Sequence, residues 1–438
     1  MTELSYDALV DRLFPRLTGG IRWGLERTRR LLAIAGDPHL QYPTIHIGGT
    51  NGKGSVAAMT EAALRRAGAR TGLYTSPHLV DFRERIQIGG RPIAEAALLD
   101  AARLLWPAIE EEAPSFFEAT TVIAFLALAR AGADIVVTEV GMGGRLDATN
   151  VVAPVVTAIT NVAWDHAQYL GGDLATIAGE KAGIAKPGVP LVTAETDPGV
   201  LGVLRARCSA AGAPLHVVAP PAARVDRRGT GVDLDTAWGP LALRVPLAGR
   251  HQAANLALAV RVLELLPAGL RPDRASVEEG LATTRWPGRL QVARVGDADW
   301  VLDVAHNAAG VESLVAALPD LRLARPLVAL VGVLGDKDWG RMLPPLFALA
   351  DEVILAEPPS APAERRWKPE AVLDALGAGE RGRVVRPFPA AVREAATAGA
   401  RGTVLCTGSV HTVGDALLEL GIAPFPDEPG LQPQEGPP

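Results

Sequence analysis

The chain has little cysteine, tyrosine, methionine or lysine: two, four, four and five residues in 438, with aromatic residues only 5% of the total. Cys208 and Cys406 form no CxxC pair, which excludes a disulfide framework and predicts two buried thiols in a reducing compartment. No apolar run approaches membrane-spanning length. The opening Met1-Thr2-Glu3-Leu4-Ser5-Tyr6-Asp7 lacks the basic and apolar regions of a signal peptide. The expected setting is the cytoplasm, without membrane contact. Net charge is −6 and no basic block occurs, which disfavours a nucleic-acid partner. What is present is 48% hydrophobic and 21% charged residues over a length that one core rarely organises, so a soluble protein of two domains is expected.

Lysine scarcity is informative. Of 43 basic residues only Lys53, Lys181, Lys186, Lys337 and Lys368 are lysine. A composition that writes arginine wherever a solvated cation suffices retains lysine where ammonium chemistry is needed, because the two differ in geometry and ease of deprotonation. Lys53 lies in His46-Ile47-Gly48-Gly49-Thr50-Asn51-Gly52-Lys53-Gly54-Ser55, a glycine-rich loop between an apolar strand and an alanine-rich helix. Such a loop can turn its N–H groups on phosphate oxygens, with Lys53 as a point charge and Ser55 as a hydroxyl for Mg²⁺. Gly54 separates Lys53 from Ser55, a departure from the strict phosphate-loop pattern. A structural glycine turn is the alternative.

Short apolar strands alternate with helices through the first half: Ile45–Gly48, Thr71–Thr75, Asp134–Val140 and Val155–Ile159. This pattern predicts an α/β fold with a doubly wound, mainly parallel sheet, and ligands in such sheets sit at the carboxyl ends of strands. Lys53, Ser76, Glu139 and His166 all fall there. Past Pro190 the pattern becomes shorter and more β-like. A second alternation of strands and helices begins near residue 295, so the predicted domains are 1–295 and 296–423, with residues 424–438 a disordered tail. Taken singly, Glu139 can be a strand-end carboxylate reaching solvent, His166 a hydrogen-bonded surface or core residue, and Ser76 part of a turn. Lys181, in Glu180-Lys181-Ala182-Gly183, can be a surface lysine, a partner for Glu180, or an amine that takes up CO₂ as a carbamate.

The blocks Gly49–Ser55, Ser76-Pro-His-Leu79, Glu139-Val-Gly-Met-Gly-Gly-Arg-Leu-Asp-Ala-Thr-Asn150, Asp165-His166, Glu180–Ile184, Gly288-Arg289, Asp303-Val-Ala-His-Asn307 and Gly408-Ser-Val-His-Thr412 resemble, in order, the folylpolyglutamate synthase/dihydrofolate synthase family of the Mur ligase superfamily. The resemblance implies a Mur-ligase central domain followed by a smaller Rossmann-like domain. It also implies an ATP-dependent ligase joining L-glutamate to dihydropteroate or to reduced folates through an acyl phosphate; a monomer is the default expectation for its oligomeric state. It places ATP at Asn51, Gly52, Lys53, Gly54, Ser55, Asn255, Arg289 and Asp303, and Mg²⁺ at Ser55, Ser76, Glu139 and His166. Lys53, Lys181 and His166 become the catalytic set, with Lys181 carbamylated. Folate contacts are implied at Phe117, Glu118, Ala119, Thr120, Arg145, Leu146 and Asp147, and glutamate contacts at His306 and His411. Three rival readings compete with this one. A peptidoglycan Mur ligase carries an extra N-terminal domain for which the stretch before His46 is too short. A nucleotide-dependent switch would need no acceptor site. A Rossmann dehydrogenase rests only on Gly141-Met-Gly-Gly.

Overall fold

The computed structural model describes residues 5–14, 23–164, 167–379 and 381–425. Its first sheet contains β1 (Thr44–Gly48), β2 (Thr71–Tyr74), β3 (Ile86–Ile88), β4 (Arg91–Pro92), β5 (Ile135–Glu139), β6 (Pro154–Ile159), β7 (Leu191–Thr193) and β8 (Leu215–Val217), in the order β4-β3-β2-β5-β1-β6-β7-β8. From β2 to β8 all neighbours are parallel, while β3 and β4 run antiparallel at one edge. β1, β2 and β5 are buried at every position, as expected of strands covered on both faces. Ile47 pairs with Glu139 on one side and Ala158 on the other, so the carboxyl ends of β1, β5 and β6 come together.

Three further strands, β9 (Arg224–Asp226), β10 (Gly229–Thr236) and β11 (Gly239–Val245), form an antiparallel sheet in the order β11-β10-β9. The short β-like segments read from sequence are these. Leu241, Leu243 and Val245 point inward from β11 with more exposed residues between them, the alternation of a sheet covered on one face. The last sheet holds β12 (Gln291–Val295), β13 (Ala298–Leu302), β14 (Leu327–Val331), β15 (Glu352–Leu355), β16 (Gly382–Val384) and β17 (Thr403–Thr407), in the order β12-β13-β17-β14-β15-β16. Only β12 is antiparallel within it. The division read from sequence at 295 falls at the end of β12. Most of the tail read from sequence, residues 426–438, lies outside the described residues.

The helix Lys53–Arg66 is buried from Gly54 through Leu64, because β1 and β5 lie on one side and the helices His251–Glu264 and Arg274–Ala282 on the other. Gly280 is a condition of that fit: a Cβ there would come within 2.5 Å of the Ala63 Cα. Among the described residues no helix is long and apolar enough to cross a membrane.

A buried and a half-buried histidine couple this packing to pH. His46, in the centre of β1, contacts Thr149 Oγ1 through Nε2 at 2.8 Å, and burial, aided by the Lys186 charge, pushes its pKa from 6.5 down to about 3. His251 contacts Ser313 Oγ at 3.0 Å, and burial, with Arg289, brings its pKa to about 4. Above pH 6.5 both are neutral folded or unfolded and stability is complete. Below it the unfolded chain binds protons that the folded chain refuses, so stability falls as pH falls, by about 1.4 kcal/mol per unit for each group. Urea midpoints are expected to drop between pH 6.5 and 4.5, and His46→Leu to reduce that slope by one proton. An unchanged slope in the variant would contradict the assignment.

Candidate active site

Four residues, Gly49 to Gly52, carry the chain from β1 to the helix that starts at Lys53. Gly49 has φ +133°, and a Cβ there would lie 1.9 Å from Thr160 Oγ1. Gly52 has φ +87°, with Asn255 Oδ1 2.5 Å from its missing Cβ. Both positions therefore require glycine. The loop is pinned from the end of β6: Thr50 N donates to Asn161 O and Asn51 N to Asn161 Oδ1, each at 2.9 Å, and Thr160 Oγ1 donates to Asn51 O at 2.6 Å. Lys53 Nζ donates to Thr50 O at 3.0 Å and stands 3.9 Å from Glu139 Oε1.

The loop borders a cavity of about 130 Å³ whose other walls include Ser76, Glu139, Lys181, Arg289 and His306. Ser76 N donates to Glu139 Oε2 at 3.1 Å. Burial pushes the Glu139 pKa up, while Lys53, the Ser76 N–H, Arg289 and Arg85 pull it down. Lys181, buried at the end of the helix Leu174–Lys181, donates from Nζ to Gly49 O at 2.8 Å. Its neighbour Glu180 instead pairs with Arg145 at 2.9 Å. Lys181 is thus neither a surface lysine nor a partner for Glu180.

Ser55 departs from expectation. Its Oγ accepts from Gln252 Nε2 at 3.4 Å and it lines neither this cavity nor the larger one. One residue inserted after the lysine turns the hydroxyl about 100° around the helix. His166 and Asp165 lie outside the described residues. Among the described residues no cluster of three metal-ligating His, Cys, Asp or Glu side chains occurs.

The third sheet contributes the opposite wall. Asp303 follows β13, and its two oxygens accept from Leu290 N and Ala305 N, each at 2.9 Å. Burial raises its pKa, opposed first by Arg289. Asn307 Nδ2 donates across to Asn51 Oδ1 at 3.3 Å, tying this sheet to the glycine loop. Arg289 lines both cavities, with Nε buried and without a partner among the described residues. Asn255 Nδ2 donates to Gln252 Oε1 at 2.9 Å behind Gly52. His306 Nδ1 donates to Val304 O at 3.0 Å.

Beyond Ser76, Glu139, Arg289 and His306 a cavity of about 690 Å³ opens between the first and third sheets. Phe14, Leu79, Phe116 and Trp286 line it with apolar surface, and Arg85, Lys337, Arg365 and His411 with charge or polarity. His411 Nδ1 and Ser360 Oγ are 3.0 Å apart. The halves touch closely beside it: a Cβ on Gly414 would fall 2.0 Å from Leu79 O. Gly414→Ala is expected to lift the helix Val410–Glu419 from the Leu79 segment and widen the cleft. Shifts on this scale cost about 10- to 100-fold in kcat/KM when they misplace reacting groups. Steady-state rates beside an unaltered circular dichroism spectrum would check it.

The segment 117–120 does not reach this cavity; its neighbour Phe116 does. Ala119 and Thr120 are fully buried, and Phe117 fills the space that a side chain on Gly141 would need. Glu118 accepts from Ser115 N in a capping box and pairs with Arg27 at 3.1 Å. Arg145 is exposed in its pair with Glu180, and Leu146 lines neither cavity. Asp147 is consumed by Met142 N at 2.8 Å and Thr149 N at 3.0 Å. These positions shape the site's walls rather than face its cavities. Sequence reasoning gave no role to Thr160, Asn161, Gln252, His78, Arg85 or Trp286. Trp286 had a signal in retrospect: it lies 2.6 Å from a Cβ on Gly54, and so dictates the glycine that breaks the phosphate-loop pattern.

Comparison with known proteins agrees with this geometry. Residues 47–263 match the Mur ligase middle domain, and residues 288–410 the Mur ligase glutamate ligase domain. The chain is 38% identical over 405 residues to a dihydrofolate synthase/folylpolyglutamate synthase of Mycobacterium tuberculosis, covering 86% of this chain and 82% of that protein. A probable bifunctional folylpolyglutamate synthase/dihydropteroate synthase of Halobacterium salinarum is 37% identical over 427 residues, 94% of this chain. The chain spans about half of that relative's length, 51%. The structure of Mycobacterium tuberculosis folylpolyglutamate synthase complexed with ADP superposes with a TM-score of 0.86 at 36% identity, covering 95% of this chain and 98% of that one.

Proposed function

The chain belongs to the folylpolyglutamate synthase/dihydrofolate synthase family of Mur ligases, and from that premise we propose that it joins L-glutamate to dihydropteroate, to the glutamyl tail of reduced folates, or to both, using ATP. The observation that carries the proposal is the meeting of two cavities at Ser76, Glu139, Arg289 and His306. The smaller has the glycine loop of a phosphate site. The larger has the volume and apolar walls for a pterin-bearing acceptor.

A carboxylate is a poor acyl donor, so phosphorylation by ATP must precede attack by the glutamate amine. The proposed residue roles follow from position. The N–H groups of Gly52 and Lys53 and the Lys53 ammonium hold the transferring phosphate. Arg289 and Asn307 bring the third sheet against it, and Asp303 fixes the Arg289-Leu290 segment by accepting from Leu290 N. Asn255, behind Gly52, and Asp303 are assigned to the nucleotide side. His306 and His411 are assigned to the glutamate side. Closure of the third sheet over the loop excludes the water that would hydrolyse an acyl phosphate.

The donor set suits Mg²⁺: a buried carboxylate at Glu139 and the Ser76 hydroxyl are hard oxygen ligands, and His166, outside the described residues, would add an imidazole nitrogen. When bound, the ion neutralises phosphate charge. Lys181 is assigned as the carbamylated lysine; a carboxylate on its Nζ would extend the oxygen donors of the same cavity. We further propose two units joined near Trp286–Arg289, a monomer, and a cytoplasmic setting.

The deciding experiment incubates the protein with Mg-ATP and L-glutamate, with dihydropteroate or tetrahydrofolate in parallel, and identifies products by mass spectrometry. Glutamate addition to both acceptors establishes two activities, and addition to one assigns a single activity. ATP hydrolysis with neither product overturns the folate reading in favour of a nucleotide switch or another amide ligase.

A further inference from the structure

His78 stands two residues beyond Ser76 and lines the large cavity but not the small one, which places it on the acceptor side. Arg85, buried in the same wall, donates from Nε to His78 Nδ1 at 2.8 Å. A guanidinium has donors only, so Nδ1 presents its lone pair and the ring proton resides on Nε2. Both partners are held. The Arg85 guanidinium lies over the rings of Phe82 and Phe116, 5.8 and 5.2 Å from their centroids. The His78 ring meets Phe14 and Phe82 edge to face at 6.1 and 6.0 Å. Among the described residues, Nε2 has no protein partner, whereas the neighbouring Glu84 carboxylate accepts from Leu79, Val80 and Asp81 N.

We propose that Arg85 fixes His78 as the Nε2–H tautomer and that this N–H donates to a carbonyl or carboxylate oxygen of the acceptor molecule, an assignment that rests on the ligase reading above. A donor in one fixed orientation selects an oxygen over an amine at that point. It positions the acceptor without drawing on the nucleotide. Arg85 acts only through His78. Neither residue follows from the glycine loop or the strand-end carboxylate, and the pairing spans a turn that local sequence patterns do not reveal.

Long-range ¹H–¹⁵N correlation spectra of the full chain, with His78 identified by loss of its signals in His78→Phe, read the tautomer directly. Nε2–H is expected, and Nδ1–H overturns the proposal. Kinetics supply the second readout. Phenylalanine keeps the ring's bulk but no donor, whereas glutamine places an N–H near the Nε2 position. Phenylalanine also removes the acceptor for Arg85, whereas the glutamine amide oxygen can still accept from it, so the tautomer spectrum and the acceptor KM are read together. His78→Phe is expected to raise the acceptor KM about tenfold. The kcat and the KM values for ATP and glutamate should stay within about twofold, and His78→Gln within about threefold of wild type throughout. Equal KM values in the two variants, or a rise in the KM for ATP instead, would overturn it. Wild-type protein that forms no glutamyl product removes the ligase reading and the acceptor oxygen with it, while an Nδ1–H signal removes the His78 assignment alone.

Discussion

Lys53→Ala is expected to lower kcat by about 100- to 1,000-fold while leaving the fold intact, the range seen when one preorganised charge stabiliser is removed from a transition state. The lysine opens its helix, so no interior turn depends on it, and its hydrogen bond to Thr50 O spans only three residues. Its larger consequence is electrostatic. Among the groups opposing the burial of Glu139 it comes first, so alanine removes the phosphate's cation and leaves the carboxylate less compensated. Arginine is not expected to rescue. A planar fork is longer than an ammonium and must enter a cavity of about 130 Å³. Quenched-flow ADP formation with saturating acceptor, beside a thermal melt, separates chemistry from folding. A variant within about fivefold of wild type would remove Lys53 from the phosphate site.

Arg289→Ala carries the second large effect, about 100-fold or more in kcat/KM. The side chain comes from the connection into the third sheet yet lines both cavities, so it belongs to the assembled site rather than to either wall. It is also the main charge opposing the burial of Asp303. Its removal raises the Asp303 pKa further. The ionised form then persists only at higher pH, and the acid limb of the kcat/KM profile should move to higher pH. Equal activity in wild type and variant would show that closure does not use this arginine. A rate loss without displacement of the acid limb would separate the arginine's contact with nucleotide from its support of Asp303.

The parallel sheet and its functional edge were readable because each signal is local. Continuous β-branched runs mark β5 and β6, and a glycine-rich turn before an alanine-rich helix marks the loop. Glu139 stood out as a carboxylate ending an apolar strand. The pins on that loop were not readable, since Thr160 and Asn161 reach Asn51 across 109 and 110 residues. The same applies to Asn307, 256 residues from its partner on the loop. Residues 117–120 show the converse case, in which resemblance implies folate contacts where the local pattern by itself reads as a helix start. Ser115-Phe-Phe-Glu118 is a capping-box pattern, and the structure uses it as one. Ser55 combines both lessons: its type is right for a cation, but Gly54, forced by Trp286, carries its hydroxyl to Gln252.

The few lysines have a practical consequence for handling the protein. Lys53 and Lys181 border the small cavity and Lys337 the large one, and Lys186 donates to Asn150 O at 3.0 Å. Lys368, beside the helix Pro369–Leu376 and lining neither cavity, is the one exposed lysine. Amine-directed coupling to a sensor surface or a dye should therefore favour Lys368 over the lysines that border the cavities. Coupling that grows heavier when ligands are withdrawn would then report directly on the opening of the cleft.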